Sequence, residues 1–190
     1  MDKRVFFLML AAAIIGGLCT FRATRRYAPQ STVTARPISE PAPQFELYDQ
    51  KSPSRIVRLE GHLGRERILV VFFDGTAGAH ASSVLNYLRD NWSRLLKNDI
   101  EVMAISAALP QDNRKDIAQH REFPFPLLSD PDFHVHRAWG RFDKSTGKPR
   151  FGVFVIDRKG SVAWSMATNA PQPADAWQAA VEGLMAANEI

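Results

Sequence analysis

The sequence predicts an α/β domain built as a three-layer sandwich, a sheet covered by helices on both faces. Three observations predict it. "RILVVFF", Arg67 to Phe73, is a nearly continuous apolar run, the pattern of a strand buried on both sides. Strand-like and helix-like segments alternate from there onward. The alternation closes on a hairpin, "FGVFVIDRKGSVAWSM", followed by a last helix-like segment.

Each element has its own signal. "FELYD", Phe45 to Asp49, alternates and reads as a short strand, and Ile56, Val57, Leu59 and Leu63 surround a turn that leads into the buried strand. After that strand come small residues and then a helical period. Val84, Leu85, Leu88, Trp92, Leu95 and Leu96 recur at spacings of three and four, one apolar stripe on one helix. Ser82 or Ser83 can cap it by accepting from an orphan backbone N–H. "DIEVMAISAA" reads as a second buried strand, and "PQDNRKDIAQHREF" as a short helix with Pro110 in its first turn. "FPFPLLSD" carries two prolines and reads as an edge-like strand or loop. "DPDFHVHRAWGRF" predicts a short helix ending near Gly140. The hairpin turns at Asp157, Arg158, Lys159 and Gly160, and Trp177, Val181, Leu184 and Met185 share one face of the final helix.

Ahead of this domain, Val5 to Phe21 is uncharged for 17 residues. As a helix it would rise roughly 25 Å, enough for a thin bilayer core. The expected organisation is a membrane anchor or signal segment at 1–26, a flexible Pro/Ser/Thr spacer at 27–43, and the folded domain at 44–190. A single uncleaved span at residues 5–21 is the favoured reading. Cleavage before Thr24, giving a secreted or periplasmic protein, is the rival, although Phe21 fits the small-residue cleavage pattern poorly. Basic residues flank the segment on both sides, so charge does not orient it.

The net charge of +4 resides mostly in those flanks, in Lys3, Arg4, Arg22, Arg25, Arg26 and Arg36. From residue 40 onward the charges nearly balance, which argues against a nucleic-acid partner. The one cysteine, Cys19, lies inside the apolar segment. Disulfides, thiolate-ligated zinc and thiol catalysis within the domain are therefore excluded by count.

The order of elements resembles a thioredoxin fold, and several stretches resemble the alkyl hydroperoxide reductase and thiol-specific antioxidant family of peroxiredoxins. "PAPQFELYD" is similar to that family's opening, "VRLEGHLGRERILVVFF" to its turn before the central strand, "FPFPLLSDPDFHVHRAWG" to its Pro-Leu-Leu-x-Asp segment, and "GVFVIDRKGSVAW" to its hairpin. The resemblance covers residues 41 to 190. It implies a central mixed sheet, antioxidant or thiol-disulfide chemistry, a protein partner or homodimer, and no cofactor.

The departure from the family is at the active-site turn, Gly75, Thr76, Ala77, Gly78, His80 and Ser82. Counted without gaps from Phe73, the family's nucleophilic cysteine falls at Ser82; aligned to a C-x-x-C turn, the two positions are Ala77 and His80. Arg150 lies about one residue from the place of the family's thiolate-stabilising arginine, and Pro149 near the proline that faces the thioredoxin motif. Peroxide reduction by a thiolate passes through a sulfenic acid. A serine has no such oxidation state, and a helix dipole worth about 0.3–1 kcal/mol cannot ionise it.

A hydrolase would use Ser82 with His80 as base and Asp74 to orient it, but residues two apart at a helix start do not usually face each other. A capping serine beside an exposed histidine is the simpler reading. His134, His136 and His120 lack a carboxylate at convincing spacing, so no metal is expected and polar surface is the better assignment. The Gly75–Gly78 turn could bring backbone N–H groups to a small anion. Met103 and Met166 read as core. The expected function is a membrane-tethered, peroxiredoxin-like binding or regulatory module without cysteine-based peroxidase activity. The alternative is family redox chemistry through Cys19 or a partner's thiol, and a more remote one is serine hydrolysis at Ser82.

Overall fold

A computed structural model describes residues 40–167 and 176–186. The apolar segment at 5–21, Cys19 and residues 27–39 of the spacer lie outside the described residues. Among the described residues no helix is long and apolar enough to cross a membrane.

In chain order the elements are β1 (Glu40–Pro41), β2 (Glu46–Tyr48), β3 (Ile56–Arg58), β4 (Arg67–Phe72), α1 (Ser83–Asp90), α2 (Trp92–Lys97), β5 (Ile100–Ser106), α3 (Pro110–Gln119), β6 (Leu127–Ser129), α4 (His134–Ala138), β7 (Phe142–Asp143), β8 (Lys148–Pro149), β9 (Gly152–Ile156), β10 (Ser161–Ala167) and α5 (Ala176–Ala186). Single 3₁₀ turns occupy Leu59–His62 and Ala79–Ala81. Eight strands form one sheet in the order β1-β10-β9-β4-β5-β6-β2-β3. Within it β4, β5 and β6 run parallel and the remaining pairings are antiparallel, so the sheet is mixed as expected.

β4 lies between β5 and β9 and divides the core. Successive side chains of a strand point to opposite faces. Leu69, Val71 and Phe73 therefore join Leu85, Leu88, Trp177 and Val181 on one side. Ile68, Val70 and Phe72 join Phe45, Leu59, Leu128 and Trp139 on the other. Each such fully buried aliphatic or aromatic side chain contributes about 1.5–3 kcal/mol relative to an exposed one. The continuous apolar run in "RILVVFF" is the mark of this two-sided burial. Met103 and Met166 are fully buried, as read from the sequence.

The structure corrects four local expectations. The sheet begins before residue 44: Glu40 and Pro41 pair with Val162 and Ser161, and Ala42 is buried, so the spacer does not extend to residue 43. The expected long helix after the turn is two, α1 and α2, broken at Asn91. The Asn91 side chain and its backbone N–H both donate to the Tyr87 carbonyl at 3.0 Å, closing α1 at that residue. Leu96 is exposed rather than part of the buried stripe. β6 is an interior strand, with Leu127, Leu128 and Ser129 all buried between β5 and β2. Its prolines precede it, and Pro126 serves the ladder through its carbonyl, which accepts from Ala104 N–H at 3.1 Å. Finally, a small two-stranded ladder, β7–β8, precedes the predicted hairpin. That hairpin turns as expected, with Asp157 Oδ1 accepting from the N–H groups of Lys159 and Ser161 at 2.9 and 2.8 Å.

Candidate functional site: the turn after the central strand

Two adjacent parallel strands, β4 and β5, end at the same edge of the sheet, and the segments that leave them form one cleft. This is where open α/β sheets generally place ligands. The turn after β4 contributes Asp74 to Ser82, and the segment after β5 contributes α3. Gly75 and Ser106 are in close approach: a Cβ on Gly75 would come within 2.8 Å of Ser106 Oγ. Gly78 has φ of 86°, a region glycine enters without steric penalty, and a Cβ there would fall inside the Asp116 carboxylate. These two glycines let the turn lie against α3.

Asp116, on α3, organises the turn. Its Oδ2 accepts from His80 N–H at 3.1 Å, and its Oδ1 is hydrogen-bonded to His80 Nδ1. Its Oδ1 also lies 3.3 Å from Nδ1 of His120, four residues further along the helix. His120 Nδ1 is 2.9 Å from the Asp116 carbonyl. The His80 and His120 rings stack at 3.5 Å with an interplanar angle of 10°. The Asp116 side chain is only 9% exposed against 37% for His80, so the carboxylate is shielded and its hydrogen bond to the imidazole is stronger than a fully solvated one. Asn86 on α1 donates to the His80 carbonyl at 2.7 Å and fixes the turn from the other side. Around these groups is a hollow of about 330 Å³ with Thr76, Asp112 and Gln119 on its walls. A larger hollow of about 940 Å³, between Gln50, Arg55, Trp92 and Phe125, contains none of the turn residues.

The structure places the expected residues as follows. Ser82 is buried and caps α1, accepting from Leu85 N–H at 3.4 Å. His80 is not a bare surface histidine but a partner of Asp116. Asp74 does not orient it; Asp74 Oδ1 instead takes the Thr76 N–H and hydroxyl at 2.9 and 2.6 Å. An oriented imidazole is thus present, but it is held by Asp116, and the buried Ser82 hydroxyl oxygen is turned to Leu85 N–H as a cap, which does not support the hydrolase reading. Ala77 lies on the turn, lining the same hollow.

Arg150 pairs with Asp143 at 2.9 Å, and Pro149 stands opposite Phe142 in β8. The Asp143 carboxyl is held well below the usual range by its bonds from Ser145 and then Arg150. A second guanidinium, Arg141, is mostly buried beside the start of β9. It donates to the Phe151 carbonyl at 3.1 Å, and burial, with Arg150 nearby, lowers its pKa.

Two metal-related expectations are corrected. Carboxylates do stand beside the histidines. Asp116 stands four residues before His120, the residue that ends α3, and Asp130 accepts from His136 Nδ1 at 2.6 Å and from its N–H at 2.8 Å. His136 is fully buried against Phe72 rather than at the surface. His134 is half exposed and lies 2.8 Å from Asp132 and 3.1 Å from Asp130. Two groups, His80–Asp116–His120 and Asp130–Asp132–His134, each gather three potential ligand atoms within 4.8 Å of one another. Sequence reasoning missed Asp116 altogether; its signal was the Asp-x-x-x-His spacing.

Comparison with known proteins agrees with this layout. The AhpC/TSA family model matches residues 38–165. Alkyl hydroperoxide reductase E of Mycobacterium tuberculosis is 35% identical over 126 residues, covering 65% of this chain and 80% of that protein. Among solved structures, peroxidoxin BcpB of M. tuberculosis superposes with a TM-score of 0.68 at 22% identity, covering 80% of this chain and 98% of that one. Mycobacterium bovis AhpC superposes with a TM-score of 0.67 at 17% identity, over 80% and 92% of the two chains. These superpositions establish a thioredoxin-like fold.

Proposed function

The chain belongs to the AhpC/TSA family, and from that premise we propose that it is a peroxiredoxin-fold binding module that has lost thiol peroxidase chemistry. One observation carries the reading: residues 20–190 contain no cysteine, and the turn that leads from the central strand into the helix holds an Asp-paired imidazole and a capping serine instead. The thiolate route needs a sulfur that accepts an oxygen atom and returns it as water through a second thiol. Neither an imidazole nor a serine hydroxyl can complete that cycle. The scaffold around the turn is nevertheless intact, and function follows the site rather than the fold.

In this reading residues 5–21 tether the domain to a membrane, and the face around His80 meets a ligand, a protein partner or a second copy of the chain. The family's redox chemistry, reached through Cys19 or a partner's thiol, is the second reading. It is favoured by the 35% identity to a hydroperoxide reductase.

Stoichiometric oxidation separates the two. The purified full chain is exposed to one equivalent of hydroperoxide and its peptides are mapped by mass. The binding reading expects no rapid uptake of oxygen anywhere, with the buried Met103 and Met166 unmodified. Fast, saturable formation of a sulfenic acid at Cys19 would establish the redox reading instead.

A further inference from the structure

We propose that His80, Asp116 and His120 form a binding site for one divalent transition-metal ion of the Zn²⁺ type, open on its cleft side. The proposal rests on the binding reading of this face and supplies its ligand. Three features carry it. The donors are two imidazole nitrogens and one carboxylate oxygen, a set that suits zinc and its first-row neighbours and leaves a position for water or an anion. They come from two separate elements, the turn and α3, so that an ion would tie together the two walls of the cleft. One of the spacings, His120 to Asp116, already matches what is required, while His80 Nδ1, now hydrogen-bonded directly to Asp116, must draw back to admit an ion. Ligand atoms about 2.0–2.1 Å from a tetrahedral zinc stand about 3.3 Å from each other. His120 Nδ1 and Asp116 Oδ1 are 3.3 Å apart, and all three donors lie within 4.8 Å.

In the metal-free chain both rings present Nδ1 to the same carboxylate. A cation takes the place of the protons held there, with the ring protons then carried on Nε2. The donor set places one carboxylate charge against two on the metal, so the open position would favour a hydroxide or another small anion. The parallel stack at 3.5 Å cannot persist on loading, because each metal–nitrogen bond lies near the plane of its ring. His120 caps the end of α3 with 39% of its side chain exposed, so it has room to swing. The second histidine–carboxylate group, around His134, draws all its donors from one short segment, Asp130 to His134, and is the internal control.

The test is calorimetric titration of the full chain with Zn²⁺ alone, alongside His80→Ala, His120→Ala and His134→Ala, with far-UV circular dichroism confirming that each variant is folded. The expected result is one Zn²⁺ per chain. His120→Ala weakens binding by more than about 100-fold, beyond the 10–100-fold that losing a ligand's hydrogen-bonding neighbour costs. His80→Ala does the same, and His134→Ala has no effect. Zn²⁺ should also shift and broaden the His120 ring resonances. His120→Ala removes only an exposed ring at a helix end, so it decides the question even if the turn variant fails to fold. Absence of saturable binding, or binding that survives both His80→Ala and His120→Ala, would overturn the site. So would binding lost through His134→Ala. Failure here leaves the binding reading in place, whereas hydroperoxide turnover by a Cys19→Ser chain would remove that reading whatever the metal result.

Discussion

Asp116 accepts from both the backbone N–H and the imidazole of His80, so a residue 36 positions away on α3 holds the turn that follows the central strand. Hydrogen bonds to a charged group contribute about 1.5–3 kcal/mol each, and a buried donor left without its acceptor costs further. Asp116→Ala is expected to lower stability by about 2–4 kcal/mol on these magnitudes. Asp116→Asn, which keeps one acceptor oxygen, should cost about half as much. Urea denaturation of the three chains measures both. Equal stability of all three would mean that the turn is held by other contacts.

Gly78 and Gly61 make a matched pair for the backbone. Gly78 has positive φ, and an added methyl would meet the Asp116 carboxylate; around Gly61 there is open space. At φ 86° and ψ 162° the backbone of Gly78 is in a region that essentially only glycine enters, and an alanine held there costs about 1–3 kcal/mol before any displacement of a neighbour. Gly78→Ala should therefore destabilise by more than about 2 kcal/mol, and Gly61→Ala by no more than about 0.5 kcal/mol, the usual range for open surface positions. The same urea experiment reads both.

At alkaline pH the contact between α1 and α5 should fail. Burial, and then the hydrogen bond to Glu182, push the Tyr87 phenol up to about 12 from its ordinary 10.0. The folded state thus favours the neutral phenol. The stability this contributes is fully present below pH 10 and is lost as the pH rises toward 12. Spectrophotometric titration should find a phenol ionising near pH 12 that belongs to Tyr87. Tyr87→Phe should remove the late step and flatten the fall in stability over the same window.

The two histidines of α4 should respond very differently to removal. His136 and Asp130 are both fully buried, whereas the His134 side chain is 55% exposed. His136→Ala strands a buried carboxylate and is expected to cost about 3–5 kcal/mol. His134→Ala removes a half-exposed ring and leaves Asp130 both of its bonds from His136, so it should cost less, about 1 kcal/mol. Thermal denaturation of the two variants checks the contrast.

How much of this the sequence discloses depends on the range of the interaction. β4 and the β9–β10 hairpin were legible because each writes its own signal, a two-sided apolar run in one and an Asp-x-x-Gly turn in the other. Ser82 was legible as a cap because capping is a local bond to Leu85. The break at Asn91 was not, since an asparagine that bonds its own helix looks the same in sequence as one facing solvent. The prolines before β6 suggested an edge, yet they lie outside the strand they seemed to forbid. Spacing did say that His134 and His136 point to different faces, but not which face is covered. Asp116 was hidden for a different reason. α3 offers Ile117 as its one large apolar residue, too little for an apolar stripe to orient it, and the pairing with His80 exists only once β4 and β5 lie side by side.

The central claim is that the fold persists without its peroxidase chemistry. The most direct measurement is the rate of hydroperoxide consumption, coupled to a dithiol reductant, by the full chain and by its Cys19→Ser variant. The account predicts that neither chain exceeds the reductant alone. Saturable, enzyme-proportional turnover by either chain, whether or not it survives in the cysteine-free variant, would contradict it.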